Sequence, residues 1–254
     1  MQEYSIIPIT CLNDLRSMHE KNGYLLYRGL SSVQHRLLPT LTRHIRKLRD
    51  AEAAEIFIWK KVLGSPDILK ICGYNTNSIT ICQEWELMAQ CRHAGLWSRM
   101  LDLTSRDIVA LYFACSADYD SDGVFWEIDL SIPVTLSSRM QQHPCEVKEM
   151  KLIHPNIVST GEDTYNTHSH RNAMHQLSKF LLQPMGDALI PLEEQENPSI
   201  IRIKHIVPKE FKKKIFDEIS SIRENHIVAP NNELEKYVLA INDEVKEKFC
   251  SVKS

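Results

Sequence analysis

The sequence predicts a fold of mixed α-helices and β-strands. Short apolar runs rich in β-forming residues recur along the 254 residues, and between them lie longer segments whose apolar residues follow the 3.6-residue spacing of a helix. Hydrophobic residues make up 43% of the chain and charged residues 25%, ordinary values that exclude disordered, collagen-like and coiled-coil proteins. The length allows a sizeable core, so we expect a single α+β domain over residues 1–254.

The charge and the apolar pattern predict a cytoplasmic protein. The formal net charge of −3 argues against a surface dominated by phosphate contacts, although it permits a local basic face. The first ten residues lack the features of a signal peptide, and no apolar run approaches membrane-spanning length, so no membrane association is expected. The seven cysteines are scattered without a C-x-x-C pair, as expected of reduced, buried thiols.

The first strands are predicted at residues 4–12 and 24–28. The second run is apolar up to Arg28, as in a strand covered on both faces, so Arg28 stands near the end of a buried strand. One interpretation of Arg28 is a salt-bridged structural arginine. The other is an anion clamp, because a guanidinium suits phosphate or carboxylate and Gly29 removes a side chain that would crowd a ligand.

Two helical segments follow. Residues 37–43 predict a loop that leads into a helix ending near residue 62, whose basic run is interpreted as a solvated face, with nucleic-acid contact as the alternative. Residues 64–78 predict an irregular connection, and residues 82–93 predict a helix that ends at His93 before a glycine. His93 either caps helix carbonyls or contacts a ligand.

The segment 93–114 organises the rest of the prediction. A short strand at 100–103 leads into the pair Thr104-Ser105 and then into a helix pattern with several large apolar residues. A hydroxyl between strand and helix can satisfy the first free N–H groups of the helix. The same junction can also hold a ligand, because hydroxyls and backbone donors point to one place.

The second half predicts a turn at 118–123 and strands at 124–130, 177–182 and 200–206. Residues 131–170 have weak periodicity and three prolines, which is typical of a functional segment such as a lid. The C-terminal part predicts a helix that Pro208 opens and a last amphipathic helix at 231–249.

The histidines between residues 143 and 175 suggest a metal-dependent nuclease as a third hypothesis. It ranks last and no metal site is predicted, because none of these residues has the i, i+4 or C-x-x-C spacing of a strong site. The residues concerned are His143, Cys145, His154, His168, His170 and His175.

Several motifs, taken in order, resemble the FRG domain family, which is named for its Phe/Tyr-Arg-Gly motif. They are Tyr27-Arg28-Gly29, Leu38-Pro39 with Arg43, Glu86-Leu87-Met88, His93-Ala94-Gly95-Leu96, Arg99-Met100-Leu101-Asp102 with Thr104, Ala110-Leu111-Tyr112-Phe113-Ala114, and the later Gln176, Ser178 and Phe180. The resemblance spans about residues 24–182. The chain has Trp97-Ser98, Leu103 and Ser178 where the family usually has Pro-Thr, Trp and Gly.

The strand with Arg-Gly, followed by a strand with Thr-Ser and a helix, is also similar to the motifs of ADP-ribosyltransferases. This similarity implies a split β-sandwich with flanking helices that binds NAD, as a substrate, in a cleft between two sheets. The motif core would be residues 24–182, completed by the C-terminal strand and helices at 200–249. The implied activity is transfer of ADP-ribose with nicotinamide as the leaving group, a glycosyltransferase reaction.

The resemblance implies roles for individual residues. Arg28, Thr104 and Gln176 would be catalytic, and Gln176 stands where such enzymes place a glutamate or a glutamine. A neutral amide supplies no negative charge for the cationic sugar, so Glu162, Asp163 and Asp102 are candidates to compensate. Asp102 is expected mainly to orient Arg28 or Arg99. The residues implied in NAD binding are Arg28, Gly29, His93, Arg99, Thr104, Ser105 and Tyr112.

The leading hypothesis is therefore an ADP-ribosyltransferase that modifies RNA, DNA or protein. We expect a bacterial toxin or antiphage effector because such domains tend to occur there, and a toxic activity would require an antitoxin or inhibitory partner. The alternative is a non-catalytic module that binds a nucleotide or a partner on the same fold.

Overall fold

The computed structural model describes residues 8–18, 25–74, 79–130, 132–154, 178–196, 200–222 and 232–250. The helices are α1 Leu12–Met18, α2 Thr40–His44, α3 Leu48–Leu63, α4 Pro66–Ile71, α5 Ile81–His93, α6 Asp107–Cys115, α7 Lys209–Ile222 and α8 Asn232–Val245. The strands are β1 Leu26–Leu30, β2 Met100–Thr104, β3 Gly123–Leu130, β4 Val134–Leu136, β5 Lys151–His154, β6 Ser178–Leu182 and β7 Ile200–Val207.

The strands form one mixed sheet in the order β4-β5-β6-β2-β1-β3-β7. The β4–β5 pair is parallel, whereas β1 pairs antiparallel with β2 and β3, and β7 pairs antiparallel with β3. The expectation of a mixed fold of helices and strands is therefore confirmed. No helix in the described ranges has the length and apolar character needed to cross a membrane.

The chain divides into two compact units, each assembled from separate segments. The first unit comprises residues 1–37, 103–132 and 193–227, and the second comprises residues 38–102, 133–192 and 228–254. Strand β2 contributes residues to both.

The first unit packs α6 closely against β1 and β3. A Cβ atom on Gly29 would lie 1.7 Å from the carbonyl oxygen of Ala110, and a Cβ on Gly123 would lie 2.4 Å from that of Ala114. Both strands therefore need glycine where the helix backbone crosses them. The core around this contact is apolar and includes Ile9, Tyr27, Leu111, Phe125, Ile215 and Ile219.

The second unit has a larger apolar core to which α2–α5, α8, β5 and β6 contribute. Its members include Leu41, Ile58, Trp59, Trp85, Met88, Ile153, Phe180 and Val238. Helix α5 starts at a capping box, in which the Thr80 side chain accepts from the backbone N–H of Gln83 and the Gln83 side chain accepts from that of Thr80. It stops before Gly95, which adopts a φ of 98°.

Four segments differ from the sequence prediction. The predicted loop at 37–43 contains most of the short helix α2, and the helix that follows starts only at Leu48 because Ile45 is extended. Residues 64–78 were predicted to be irregular, but they contain α4 Pro66–Ile71. The described part of the predicted lid, residues 132–154, contains β4, β5 and two short 3-10 turns, and its remainder lies outside the described residues. At the N-terminus, Pro8 forms an isolated bridge with Ile206 of β7, and α1 follows.

Candidate functional site

Arg28 lies in the middle of β1 and starts a row of three side chains across the first unit. The strand register places Arg28 opposite Trp126 of β3, and Trp126 opposite Lys204 of β7. Directly opposed residues in antiparallel strands point to the same face of a sheet. Arg202 lies two residues from Lys204 and shares this face. We call Arg28, Trp126, Arg202 and Lys204 the cationic sheet face.

The cationic sheet face joins an aromatic ring to positive charge. The Lys204 ammonium lies 5.8 Å from the centroid of the Trp126 ring, and Trp126 is only 6% exposed. Arg202 is also buried, and its Nη2 donates to the carbonyl oxygen of Gln195 at 2.9 Å. Along the described strands β1, β3 and β7, this face carries three cations and no carboxylate.

Thr104 lies on the other face of the sheet. It is paired with Tyr27, the neighbour of Arg28, so the two predicted catalytic residues Arg28 and Thr104 point to opposite faces. The Thr104 hydroxyl accepts from the backbone N–H of Arg106 at 3.0 Å, at the start of α6. Arg106 is the N-cap residue of α6, so this bond closes a local turn before the helix and is not the helix cap that the sequence suggested. Ser105, the next residue, is exposed.

Packing explains two other residues that the resemblance assigned to NAD. Gly29 accommodates the close approach of α6, which corrects its interpretation as room for a ligand. The Tyr112 ring packs on Phe216 of α7 with ring centroids 5.0 Å apart, and it meets Phe113 edge-on. Tyr112 thus joins α6 to α7 within the first unit.

A buried carboxylate in the first unit also lies on the Thr104 face. Glu127 is paired with Tyr27 in the register, and its Oε1 lies 3.1 Å from Nε2 of His205. Burial, together with Asp107 and Glu127, raises the pKa of Tyr27 to about 12. This face is thus distinct in charge from the cationic sheet face.

Arg99 is a structural arginine of the second unit. It is 2% exposed, and its Nε donates to both carboxylate oxygens of Glu55 at 2.8 and 3.0 Å. Its Nη1 donates to the carbonyl of Gln183 at 2.6 Å, and its Nη2 donates to the carbonyls of Pro144 and Val147. These bonds connect α3, the residue that follows β6 and the turn at 144–147. They account for the burial of the Arg99 guanidinium without a bound ligand.

Asp102 forms an ion pair with Arg92, the neighbour of His93 at the end of α5. The sequence had suggested that Asp102 orients Arg28 or Arg99. His93 packs edge-on against the ring of Phe180, with centroids 5.2 Å apart. Burial lowers the pKa of His93 to about 4, an effect that Asp102 opposes and Arg92 reinforces.

Six of the residues that the sequence analysis considered for a site lie outside the described part of the chain: Gln176, Glu162, Asp163, His168, His170 and His175. His143 and Cys145 are described, and the His143 ring packs against Trp59, 4.7 Å away. Within the described ranges no three or more His, Cys, Asp or Glu side chains are grouped as metal ligands.

Sequence reasoning did not identify Trp126, Arg202, Lys204 and Arg92 as site residues. One signal was present, because Arg202 and Lys204 alternate with isoleucines in the strand 200–206 and must share a face. The pairing of this strand with β3 was not available from the sequence, so the cations could not be matched to Trp126.

A family model matches part of the chain. No curated protein and no solved structure matches the chain significantly. The matched region includes β1, α2–α6 and β2 and ends before Gln176. Residues 23–123 match the model of the FRG domain family.

Proposed function

We propose that this protein is an NAD-dependent ADP-ribosyltransferase that modifies a macromolecule. The observation that carries the proposal is the cationic sheet face, where Arg28 of the Tyr-Arg-Gly motif is aligned with Trp126 and Lys204. The match of residues 23–123 to the FRG domain family and the similarity of the motifs to those of ADP-ribosyltransferases support the same assignment. As part of this proposal, NAD would bind in a cleft of the kind found in split β-sandwich folds.

The cationic sheet face suits a dinucleotide. The pyrophosphate of NAD carries two negative charges, and a guanidinium can bind a phosphate through two parallel N–H donors. Arg28 is half-buried between the buried side chains of Leu26 and Leu30 on its own strand face. Interactions between charges are stronger in such apolar surroundings than in water. Arg28 would hold the pyrophosphate, and Lys204 would contribute the second cation.

The chemistry follows from holding NAD in place. The bond between C1 of the ribose and the nicotinamide nitrogen breaks, and the electron pair leaves with nicotinamide. A lone pair on an oxygen or nitrogen of the acceptor forms the new bond to C1, and the acceptor's proton passes to solvent. Arg28 would contribute by fixing the phosphates while the sugar becomes cationic. The Gln176 amide would bond a ribose hydroxyl, as its place in the sequence motif suggests.

A binding module without catalysis is the second candidate function. Two positions favour it: Thr104 faces away from Arg28, and the buried carboxylate of Glu127 lies on the Thr104 face. In this case the cationic sheet face would bind a nucleotide or a phosphorylated partner without breaking the glycosidic bond.

Labelled NAD tests both candidates. The protein is incubated with adenine-labelled NAD and cell lysate, and label is followed into protein, RNA and DNA while free nicotinamide is quantified. Arg28→Met should weaken NAD binding and so reduce transfer at low NAD concentration by about 10-fold to 100-fold, because a hydrogen bond between charged groups contributes about 1.5–3 kcal/mol. Lys213→Met is the matched control, because Lys213 is an exposed cation on α7 of the same unit.

The outcomes separate the candidates. Circular dichroism first establishes that each variant is folded. Label transfer that depends on Arg28 supports the transferase, and the labelled fraction identifies its acceptor. NAD binding that depends on Arg28, without nicotinamide release, supports the binding module. If the folded wild-type protein neither binds nor turns over NAD, the protein is neither an NAD-dependent transferase nor an NAD-binding module. The cytoplasmic location and the inhibitory partner are parts of the transferase proposal.

A further inference from the structure

A second group of cations lies within the second unit. Arg43 is in the last turn of α2, Arg92 and His93 are in the last turn of α5, and Asp102 is on β2. The Arg92–Asp102 ion pair joins α5 to β2. Arg43 is close enough that the charges of Arg92 and Asp102 both act on its pKa, which burial lowers. We call these residues the Arg43–Arg92 cluster.

The Arg43–Arg92 cluster has more positive than negative charge. It contains two guanidinium groups and one carboxylate, while His93 is neutral at pH 7 because its pKa is about 4. Arg92 is 8% exposed, so its charge is largely removed from water. A buried cation is retained in proteins only with compensating partners. The Asp102 carboxylate therefore balances the charge of one guanidinium, and no other carboxylate of the cluster balances the second.

The cluster also contains hydrogen-bond donors that the protein does not satisfy. Arg43 Nη2, Arg92 Nε and His93 Nε2 are buried and have no hydrogen-bond partner in the described part of the chain. Leaving a buried polar group in this state destabilises the fold. The remaining contacts fix the geometry, because Arg43 Nε donates to the carbonyl of Leu38 at 2.9 Å and Arg92 Nη2 donates to Asp102.

The edge of this cluster reaches the protein surface. The Asp102 side chain is 27% exposed, and Arg43 is half-buried rather than enclosed. A tetrahedral anion has several acceptor oxygens, which can accept from Arg43, from Arg92 and from the Nε2–H tautomer of His93, and its charge would neutralise the second guanidinium. Guanidinium groups bind phosphate with matching geometry.

We propose that the Arg43–Arg92 cluster binds a phosphate group. This site belongs to the second unit, whereas the cationic sheet face belongs to the first, and its existence does not depend on ADP-ribosyl transfer. The shared chemistry is a phosphate that is either free or carried by a nucleotide.

Nuclear magnetic resonance of the histidine side chains tests the site directly. Inorganic phosphate is titrated into the full chain at constant ionic strength, and the His93 resonance is assigned by comparison with His93→Gln. A bound anion should raise the pKa of His93 and produce a saturable shift, with a dissociation constant of about 1 mM or tighter. Arg43→Met should weaken phosphate binding at least about tenfold, whereas Arg46→Met, which removes a neighbouring exposed arginine, should leave it unchanged.

A second variant protects the test against misfolding. Arg43→Lys keeps the positive charge but loses the planar donor pair, so its affinity should lie between those of the wild type and Arg43→Met. A His93 signal that does not saturate, or equal affinity in the wild type and the folded Arg43 variants, overturns the proposal. Adenosine monophosphate distinguishes the sources: about tenfold tighter binding than phosphate indicates a nucleotide, and equal binding indicates free phosphate.

Discussion

Arg99 and Arg92 are buried arginines of the second unit, but their surroundings differ. Arg99 donates to both oxygens of Glu55 and to three backbone carbonyls. Arg92 is paired with the partly exposed Asp102, and its Nε has no partner within the residues described. A second guanidinium, Arg43, acts on the same carboxylate as Arg92, whereas Glu55 is bonded to Arg99.

The difference separates a structural arginine from a candidate binding arginine. The bonds of Arg99 connect parts of the fold that are far apart in sequence, so removing it should affect folding. The Arg43–Arg92 cluster has donors that remain for an external acceptor, so changing its charge should affect binding more than folding. Both Arg99 and Arg92 lie within or beside FRG-like motifs, and sequence position alone does not distinguish them.

The largest expected effect is that of Arg99→Met. Removing the guanidinium leaves the Glu55 carboxylate and the carbonyls of Gln183, Pro144 and Val147 without their donor in a buried site. We expect the free energy of unfolding to fall by about 3–5 kcal/mol, the usual cost of breaking a buried ion pair from one side. Urea denaturation measures the change.

The matched control for this experiment is Arg49→Met, which removes an exposed arginine from α3 and should change stability by less than about 0.5 kcal/mol. Adding Glu55→Leu to Arg99→Met removes the stranded charge and should restore part of the loss. If Arg99→Met is as stable as Arg49→Met, then Arg99 does not stabilise the fold, and the contrast drawn between Arg99 and Arg92 is wrong.

The next largest effect is a pH dependence of stability from His93. Its folded-state pKa of about 4 lies below the ordinary value of 6.5, so the unfolded chain takes up a proton on this imidazole before the folded protein does. The stabilising contribution of neutral His93 is present above pH 6.5 and is lost as the pH falls towards about 4. The expected loss across this window is at most about 3 kcal/mol.

Urea denaturation between these pH values, compared with His93→Gln, isolates the contribution. The variant should lose the His93 part of the pH dependence, while the remainder from other titrating groups persists. Identical pH profiles for the two proteins would show that the imidazole titrates normally. The cluster would then be open to water, in contrast to the site of Arg99.

Most elements were predictable because they depend on local pattern. The strands at 100–104, 123–130 and 200–207 and the helices at 81–93 and 107–115 follow their apolar spacing and capping residues closely. The short helix α2 and the extended Ile45 after it were missed, because the apolar spacing of the next helix continues back to Ile45. β4 and β5 were missed since they are short and are defined by pairing between strands, which apolar periodicity does not reveal.

Parts of the candidate sites were less predictable, because they depend on register. Arg28 and Thr104 were candidates from the sequence, but their placement on opposite faces depends on the pairing of Tyr27 with Thr104. Likewise, Arg92, Arg99 and Arg106 all lie near Asp102 in the sequence, and only the structure identifies Arg92 as its ion-pair partner. Spacing along the chain does not determine which of several cations meets a carboxylate.

The smallest effect on stability, and the sharpest contrast with Arg99, is expected for Asp102→Asn. The Asp102 side chain is 27% exposed while that of Arg92 is 10% exposed, so losing the carboxylate should lower the free energy of unfolding by about 1–2 kcal/mol, less than the loss expected for Arg99→Met. The same change removes the carboxylate that competes with an incoming anion for Arg92. Phosphate should therefore bind about threefold to tenfold more tightly, by the histidine titration described above. Glu149→Gln is the control, since Glu149 is a 78% exposed carboxylate of the same unit and should alter neither quantity. Weaker phosphate binding in Asp102→Asn would mean that Asp102 holds Arg92 in the geometry required for the anion, and a large loss of stability would place this pair with Arg99 among the structural contacts.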